Sequence, residues 1–219
     1  MKKYFNVLKQ CPLFQSINDE NLLSMLDCLG ARVASYKKKE TILAEGSPAK
    51  YIGIMLAGSA QIIQYDYFGN RSLVSEVEPS ELFAESFACA DVGEVPVNIV
   101  ASEDCRVMFV ECIRVMQTCS CACECHRQMI YNLIRDVAIK NIMFHQRMEI
   151  TSKRTTREKL MTYLTLQAKK NKEKQFDIPY DRQELADYLE VDRSGLSAEI
   201  SKLRREGVLK SEKNHFELL

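Results

Sequence analysis

The sequence predicts an α+β protein: an N-terminal antiparallel β-sandwich or jelly roll, one long helix, and a C-terminal winged helix-turn-helix. Three observations carry this prediction. Short apolar runs broken by Gly, Pro, Asp and Asn fill residues 32–110, the texture of many short strands. An apolar stripe at steps of three and four then follows over residues 119–149, the period of a helix. Last, two capped helices with a three-residue connection precede two short strand-like segments, the pattern of a winged helix-turn-helix.

In chain order, the first thirty residues read as helical. QSINDENLLSML offers Ser16 or Asn18 as a cap before Leu22, Leu23, Leu26 and Leu29, and Gly30 closes the segment. From Arg32 the runs ETILAEG, YIGIMLAGSAQIIQYD, RSLVSEVE, PVNIVASE and CRVMFVE alternate with turn residues. DYFGN at 66–70 reads as a turn between two strands, and FAESFA places a short helix around Leu82–Ala90.

The long helix spans roughly Cys119 to Glu149. Its stripe, His126, Ile130, Leu133, Val137, Asn141, Phe144 and Met148, has the spacing of a coiled-coil seam. The stripe can pack against the protein's own sheet, but a helix of this length favours pairing with a second copy, so Ile130, Leu133, Val137, Asn141, Phe144 and Met148 are the candidate dimer interface. Residues 151–168 form another helix, KKNKEKQF is a polar hinge or loop, and helices at 181–189 and 193–205 follow. Two short strands lie around Val208–Leu209 and His215–Leu218.

Asp181 caps the first of those helices, with Glu184 as its capping-box partner. Asp192 caps the second, and Leu196, Ile200 and Leu203 hold it to the first. Such a unit lays its second helix in the major groove of DNA. Arg193, Ser194, Gly195, Ser197 and Ala198 stand at its front or outward side, with Lys202 one turn on. Arg193 suits guanine O6 and N7. Lys202, Arg204, Arg205, Lys210 and Lys213 suit phosphates, which position the protein without specifying sequence. Residues 151–219 carry 15 Lys/Arg and 12 Asp/Glu in a chain of formal charge zero, an asymmetry that permits a nucleic-acid partner.

The composition is that of a globular protein, with 46% apolar and 27% charged residues. No apolar span approaches twenty residues, so no transmembrane helix is expected, and the opening MKKYFNVLKQCPLF lacks a signal-peptide core. A cytoplasmic protein is the expectation. Nine cysteines, odd in number and uneven in spacing, argue against a complete secreted disulfide framework. Cys11, Cys28 and Cys89 are isolated, Cys105 and Cys112 flank a strand, and four crowd into TCSCACECHR at 118–127.

Helical phase divides that crowd. Cys119 and Cys123 lie one turn apart and His126 continues their stripe, while Cys121 and Cys125 occupy another. Three readings stand: packing at the head of the helix, a thiol redox switch or intersubunit disulfide, and a metal or cluster site. Cys119, Cys123 and His126 are the candidate metal or redox residues, and the cofactor is left unknown. An enzyme is not expected. There is no GxxxxGK phosphate loop, no glycine-rich nucleophile elbow, and no local Ser/His/Asp spacing.

The chain resembles the Crp/Fnr family of bacterial transcription regulators over essentially its full length. The resemblance rests on ETILAEGSPAKYIGIMLAGSAQI, ELFAESFA, the long helix, and RQELADYLEVDRSGLSAEISKLRREGVL. It implies a cyclic-nucleotide-binding-like sensor domain at 1–118, a dimerisation helix at 119–149, and a winged helix-turn-helix DNA-binding domain at 150–219. It also implies a homodimer on a palindromic operator in double-stranded DNA, contact with RNA polymerase, and a signal that repositions the DNA-binding domains. Arg193, Ser194 and Ser197 fall among the positions that reach the operator in relatives. Where several relatives carry an arginine five residues beyond Arg193, this chain has Ala198, so no relative's consensus site carries over.

In cyclic-nucleotide binders of the family, a Gly-Glu-Leu stretch holds the ribose and a downstream Arg-Ser or Arg-Thr clamps the phosphate. Here Glu85 matches the glutamate, Ala84 replaces the glycine, and the phosphate positions fall near Pro96 and Val97. A buried phosphate needs charge-assisted donors, so cyclic AMP is not the expected effector. A different small molecule would occupy a cavity near Phe83, Glu85, Phe87, Val97 and Ile99. The oxygen-sensing relatives that carry an iron–sulfur cluster place their cysteines mostly near the N terminus, where this chain has Cys11 and Cys28. The competing reading is a signalling module whose winged domain docks to protein.

Overall fold

A computed structural model describes residues 2–69, 71–117 and 124–219. The chain divides into two compact units, 1–139 and 140–219.

Unit 1 opens with short helical pieces. A 3-10 turn at Lys2–Tyr4 leads to α1 (Phe5–Gln10), a second 3-10 turn at Pro12–Phe14, and α2 (Asp19–Cys28). Of the two caps the sequence offered for α2, Asn18 is the one used: its side chain accepts from the Asn21 N–H at 2.9 Å. Ser16 instead adopts a left-handed backbone, φ 64°. At the far end of α2, Gly30 supplies the φ of +62° that turns the chain into the first strand.

Among the described residues eight strands follow: β1 (Arg32–Tyr36), β2 (Thr41–Leu43), β3 (Tyr51–Ala57), β4 (Ala60–Tyr65), β5 (Arg71–Val77), β6 (Leu82–Phe83), β7 (Asn98–Ala101) and β8 (Cys105–Glu111). They make two four-stranded antiparallel sheets, ordered β1-β8-β3-β6 and β2-β7-β4-β5. The first sheet is covered on both faces. Along β3, Ile52, Ile54 and Leu56 join a core with the N-terminal helices, while Met55 points to the core shared with the second sheet. β8 divides the same way, Met108 and Val110 to the helices and Val107 and Phe109 to the sandwich. A period of two with both faces buried explains why β3 and β8 read as unbroken apolar runs.

The helix expected at Leu82–Ala90 is shorter. Leu82 and Phe83 pair with Ile54 and Gly53 as β6. Ala84 then takes a left-handed conformation, φ 60°, and α3 runs Glu85–Cys89. A short helix α4 (Cys112–Met116) follows β8, and the long helix α5 spans Glu124–Thr151. The boundary between the units falls inside α5. Met129 and Leu133 of α5 belong to the helical core of unit 1. The amide of the buried Asn132 donates to the carbonyls of Leu13 and Gln15 at 3.0 and 2.8 Å, so the N-terminal turns are tied to α5 by hydrogen bonds as well as by apolar contact.

Unit 2 holds α6 (Thr156–Asn171), β9 (Gln175–Asp177), α7 (Arg182–Leu189), α8 (Arg193–Arg205), β10 (Leu209–Glu212) and β11 (His215–Leu218). Helix α6 starts later than the expected residue 151 because Thr155 and Glu158 form a capping box that fixes its first turn. The expected hinge KKNKEKQF is largely structured. α6 continues to Asn171, Lys172 ends it with φ 56°, and β9 joins a three-stranded sheet of order β10-β11-β9. Phe176 at the middle of β9 is buried with Phe216, Leu160, Leu164, Leu185, Leu196, Ile200 and Leu203 in one core.

Candidate functional site

In unit 2 the helix-turn-helix is built by local chemistry. The Asp181 carboxylate accepts from the N–H groups of Gln183 and Glu184 at 2.7 and 2.8 Å, and Glu184 accepts from the Asp181 N–H at 2.7 Å. Glu190 ends α7 in a left-handed conformation, and the Val191 N–H returns to the Ala186 carbonyl at 3.0 Å. Asp192 then caps α8, accepting from the Gly195 N–H at 2.8 Å and from the Ser194 hydroxyl. These two hydrogen bonds, the Ser194 one foremost, hold the Asp192 carboxyl below the usual carboxylate range.

Leu196, Ile200 and Leu203 are buried on the inner side of α8. Arg193, Ser194, Gly195, Ala198 and Lys202 are exposed and Ser197 is half-buried. By helical phase Ser194, Ala198, Ser201 and Arg205 form the ridge opposite the buried residues, with Lys202 beside it, while Arg193, Ser197 and Arg204 share a flank. That flank borders an open cleft of about 490 Å³ lined by Arg182, Ser197, Ser201, Arg204, Ser211 and Lys213, with Glu212 the acidic member.

Arg182, at the first position of α7, was not among the residues singled out from sequence. Its Nη2 donates to the Lys213 carbonyl at 3.2 Å, and its guanidinium lies 5.8 Å from the Phe216 ring centre. Its Nη1 is buried and makes no hydrogen bond within the described protein. Burial alone pulls the Arg182 pKa down. Arg182, Arg204 and Lys213 bring positive charge to this cleft beside the hydroxyls of Ser197, Ser201 and Ser211, a lining suited to an anionic oxygen. Nothing in the sequence separates Arg182 from other surface arginines, because the wing that buries it lies thirty residues downstream.

On the opposite flank of unit 2, Arg157 reaches Glu206 at 2.6 Å and Glu199 at 3.8 Å. The pair with Arg157 holds Glu206 below its usual pKa. This ties the start of α6 to the middle and the end of α8 at the surface. Lys210 is paired with Glu217 at 2.9 Å, which occupies one of the basic side chains assigned to phosphate.

In unit 1, Phe83, Val97 and Ile99 lie in the sandwich core and half-buried Phe87 packs against it. Glu85 is buried as well. Four of the five expected effector residues therefore belong to one core, and the Phe83 ring meets Phe109 edge-on at 6.2 Å. Pro96 is exposed, and Val97 is buried among apolar side chains.

Cys119 and Cys123 lie outside the described residues. His126 is buried on α5. Among the described residues, no group of three or more His, Cys, Asp or Glu is arranged to hold a metal ion. Two cysteines the sequence left apart do meet: the sulfurs of Cys89 and Cys112 are 3.6 Å from each other.

The expected seam on α5 separates into two faces. Leu133 is 1% exposed and half-buried Val137 packs beside it on the helical core. Ile130 is half-buried, Asn141 exposed, and Phe144 and Met148 are 57% and 65% exposed. Ile134, next to Leu133, is 59% exposed. Ile130, Ile134, Asn141, Phe144 and Met148 trace one outward stripe at helical spacing, with Val137, which also packs on the helical core, at its edge. Among the described residues no helix is long and apolar enough to cross a membrane.

Residues 33–119 match the cyclic nucleotide-binding domain family and residues 158–219 the Crp-like helix-turn-helix domain family. Among solved structures, the chain is similar to CLP, described as a c-di-GMP responsive global regulator of Xanthomonas campestris. That match has 14% identity, covers 92% of this chain and 99% of the other, and gives a TM-score of 0.57. It is also similar to DNR of Pseudomonas aeruginosa, at 17% identity, 100% and 95% coverage and a TM-score of 0.52. At these identities the two structures share the fold. No curated protein gives a significant match.

Proposed function

The chain belongs to the Crp/Fnr family of transcription regulators, with a cyclic-nucleotide-binding-like sensor domain and a Crp-like helix-turn-helix, and on that premise we propose how it reads DNA and what controls it. It binds double-stranded DNA as a homodimer at a palindromic operator. The observation that carries this is the exposed ridge of α8 beside a cleft lined by Arg182, Arg204 and Lys213. Ser194, Ala198 and Arg205 face the major groove, while Arg182, Arg204 and Lys213 hold phosphates on the flank. Arg193 and Lys202 reach the groove edges, and Gly195 and Ser197 allow close approach.

Pairing runs along Ile130, Ile134, Val137, Asn141, Phe144 and Met148 of two α5 helices. A dimer so built sets the recognition helices about 34 Å apart, one duplex turn. RNA polymerase is the partner at the promoter. The control signal is a small molecule, metal or redox change in unit 1. Cyclic AMP does not suit the site, because the side chains of Pro96 and Val97 offer a phosphate no donor.

Selecting bound sequences from a random duplex pool, under reducing and oxidising conditions, tests the reading. Recovery of a palindrome with half-sites about 10 base pairs apart is expected. Arg182→Gln should weaken binding to all recovered sequences alike and lower the salt slope by about one. A pool with no enriched palindrome in either condition, together with a stable protein partner for the winged domain, would favour a protein-docking module instead.

A further inference from the structure

Cys89 ends α3 and Cys112 begins α4, 23 residues apart in sequence, with sulfurs 3.6 Å apart. Cys89 is exposed and Cys112 is buried. The backbone at Cys112 is fixed: it follows β8 directly, and its N–H donates to the Lys50 carbonyl at 3.0 Å. Beyond Cys89 the chain runs over the surface, where residues 90–94 are exposed and turn through two positive φ values at Asp91 and Gly93. One side of the pair is anchored in the core and the other stands on a surface turn.

From this geometry we propose that Cys89 and Cys112 form a reversible intramolecular disulfide that ties α3 to α4. The bond needs the sulfurs to close from 3.6 Å to about 2.05 Å, a move within reach of side-chain rotation at the exposed partner. The thiols are chemically unequal. The hydrogen bond between them holds Cys112 below the usual thiol range, and the same bond makes Cys89 keep its proton. The pair thus releases a first proton readily and a second one reluctantly, and one thiolate charge is shared between two sulfurs.

Hydrogen peroxide serves as the oxidant. As the Cys89 proton passes along the hydrogen bond to the Cys112 thiolate, the exposed Cys89 sulfur takes one peroxide oxygen, the O–O bond breaks, and the departing hydroxide becomes water with the proton already released. The Cys112 sulfur then attacks the Cys89 sulfenic sulfur. The S–O bond breaks, and the hydroxyl leaves as water with the remaining thiol proton. Two thiols lose two electrons and two protons, and one peroxide becomes two waters. A dithiol reverses the step by exchange. Because Glu85 and Cys89 are the first and last residues of α3, the bond anchors the helix that carries the family's ribose-binding position.

The test uses the full-length protein, treated with peroxide or dithiothreitol, alkylated with iodoacetamide and digested without reduction. Tandem mass spectra should show Cys89 joined to Cys112, with Cys89 alkylation falling about tenfold and returning with dithiothreitol. Cys28→Ser, at another exposed cysteine, should leave the link intact, and Cys89→Ser should abolish it. Cys112→Ala supplies a second variant at the buried site, in which Cys89 should stop at the sulfenic acid after peroxide and be trapped there by dimedone. Cys89 recovered only as sulfinic acid, or joined to a different cysteine in the wild type, overturns the proposal. None of these readouts involves DNA, so failure here leaves the operator reading standing.

Discussion

At Gly53 the sandwich has no room for a side chain: a Cβ there would lie 2.2 Å from the Phe83 ring. The glycine lets β6 lay a phenylalanine across β3, and Phe83 in turn meets Phe109. Gly53→Ala should therefore destabilise the protein by about 1–3 kcal/mol through overpacking, read as a lower urea midpoint. The double variant with Phe83→Leu should recover part of the loss, because the two positions share one space. The sequence showed Gly53 only as a lone glycine in an apolar run, which signals close backbone approach without saying to what. Phe83 was legible as part of the sensor through its place beside Glu85. Its partners were not, since Gly53 and Phe109 lie on strands far before and far after it in the chain.

The elements most legible in the sequence are those set by neighbours in the chain. The caps at Asp181 and Asp192 and the buried faces of α7 and α8 need only a turn or two of helix, and the structure has them where the residues put them. β9 was missed because three residues carry no period, and only its pairing with β11 makes it a strand. The caps also carry a pH dependence. Hydrogen bonds hold Asp192 and Glu158 below their usual carboxyl values in the folded chain. A group depressed on folding stabilises above its unfolded pKa, about 4, and that contribution fades as pH falls through the folded value. Melting temperature should thus hold between about pH 7 and pH 5 and drop below about pH 4. Asp192→Asn keeps a capping side chain while removing its titration, so it should flatten part of that drop in thermal melts.

At the scale of the whole molecule, α5 gives one face to the helical core of unit 1 and leaves another exposed. The repeat in the sequence could not distinguish Leu133 from Ile134, because adjacent residues differ by one helical step and either fits a stripe of threes and fours. Burial by the N-terminal helices settles the phase: Leu133 is inside and Ile134 outside. The two positions should fail differently. Leu133→Ala should cost about 2–5 kcal/mol of stability and leave the subunit stoichiometry alone. Ile134→Glu with Phe144→Glu should leave the melt of unit 1 nearly unchanged and shift the protein to monomer in light scattering, with loss of operator affinity. The double coverage of β3 has one more consequence, in the crowded setting where the chain is made. YIGIMLA carries no charge and no proline, the composition of a segment that stacks on its own copies into cross-β aggregates. The N-terminal helices on one face and the second sheet on the other act as a built-in sheath, and a nascent chain is at its most aggregation-prone until both have closed over it.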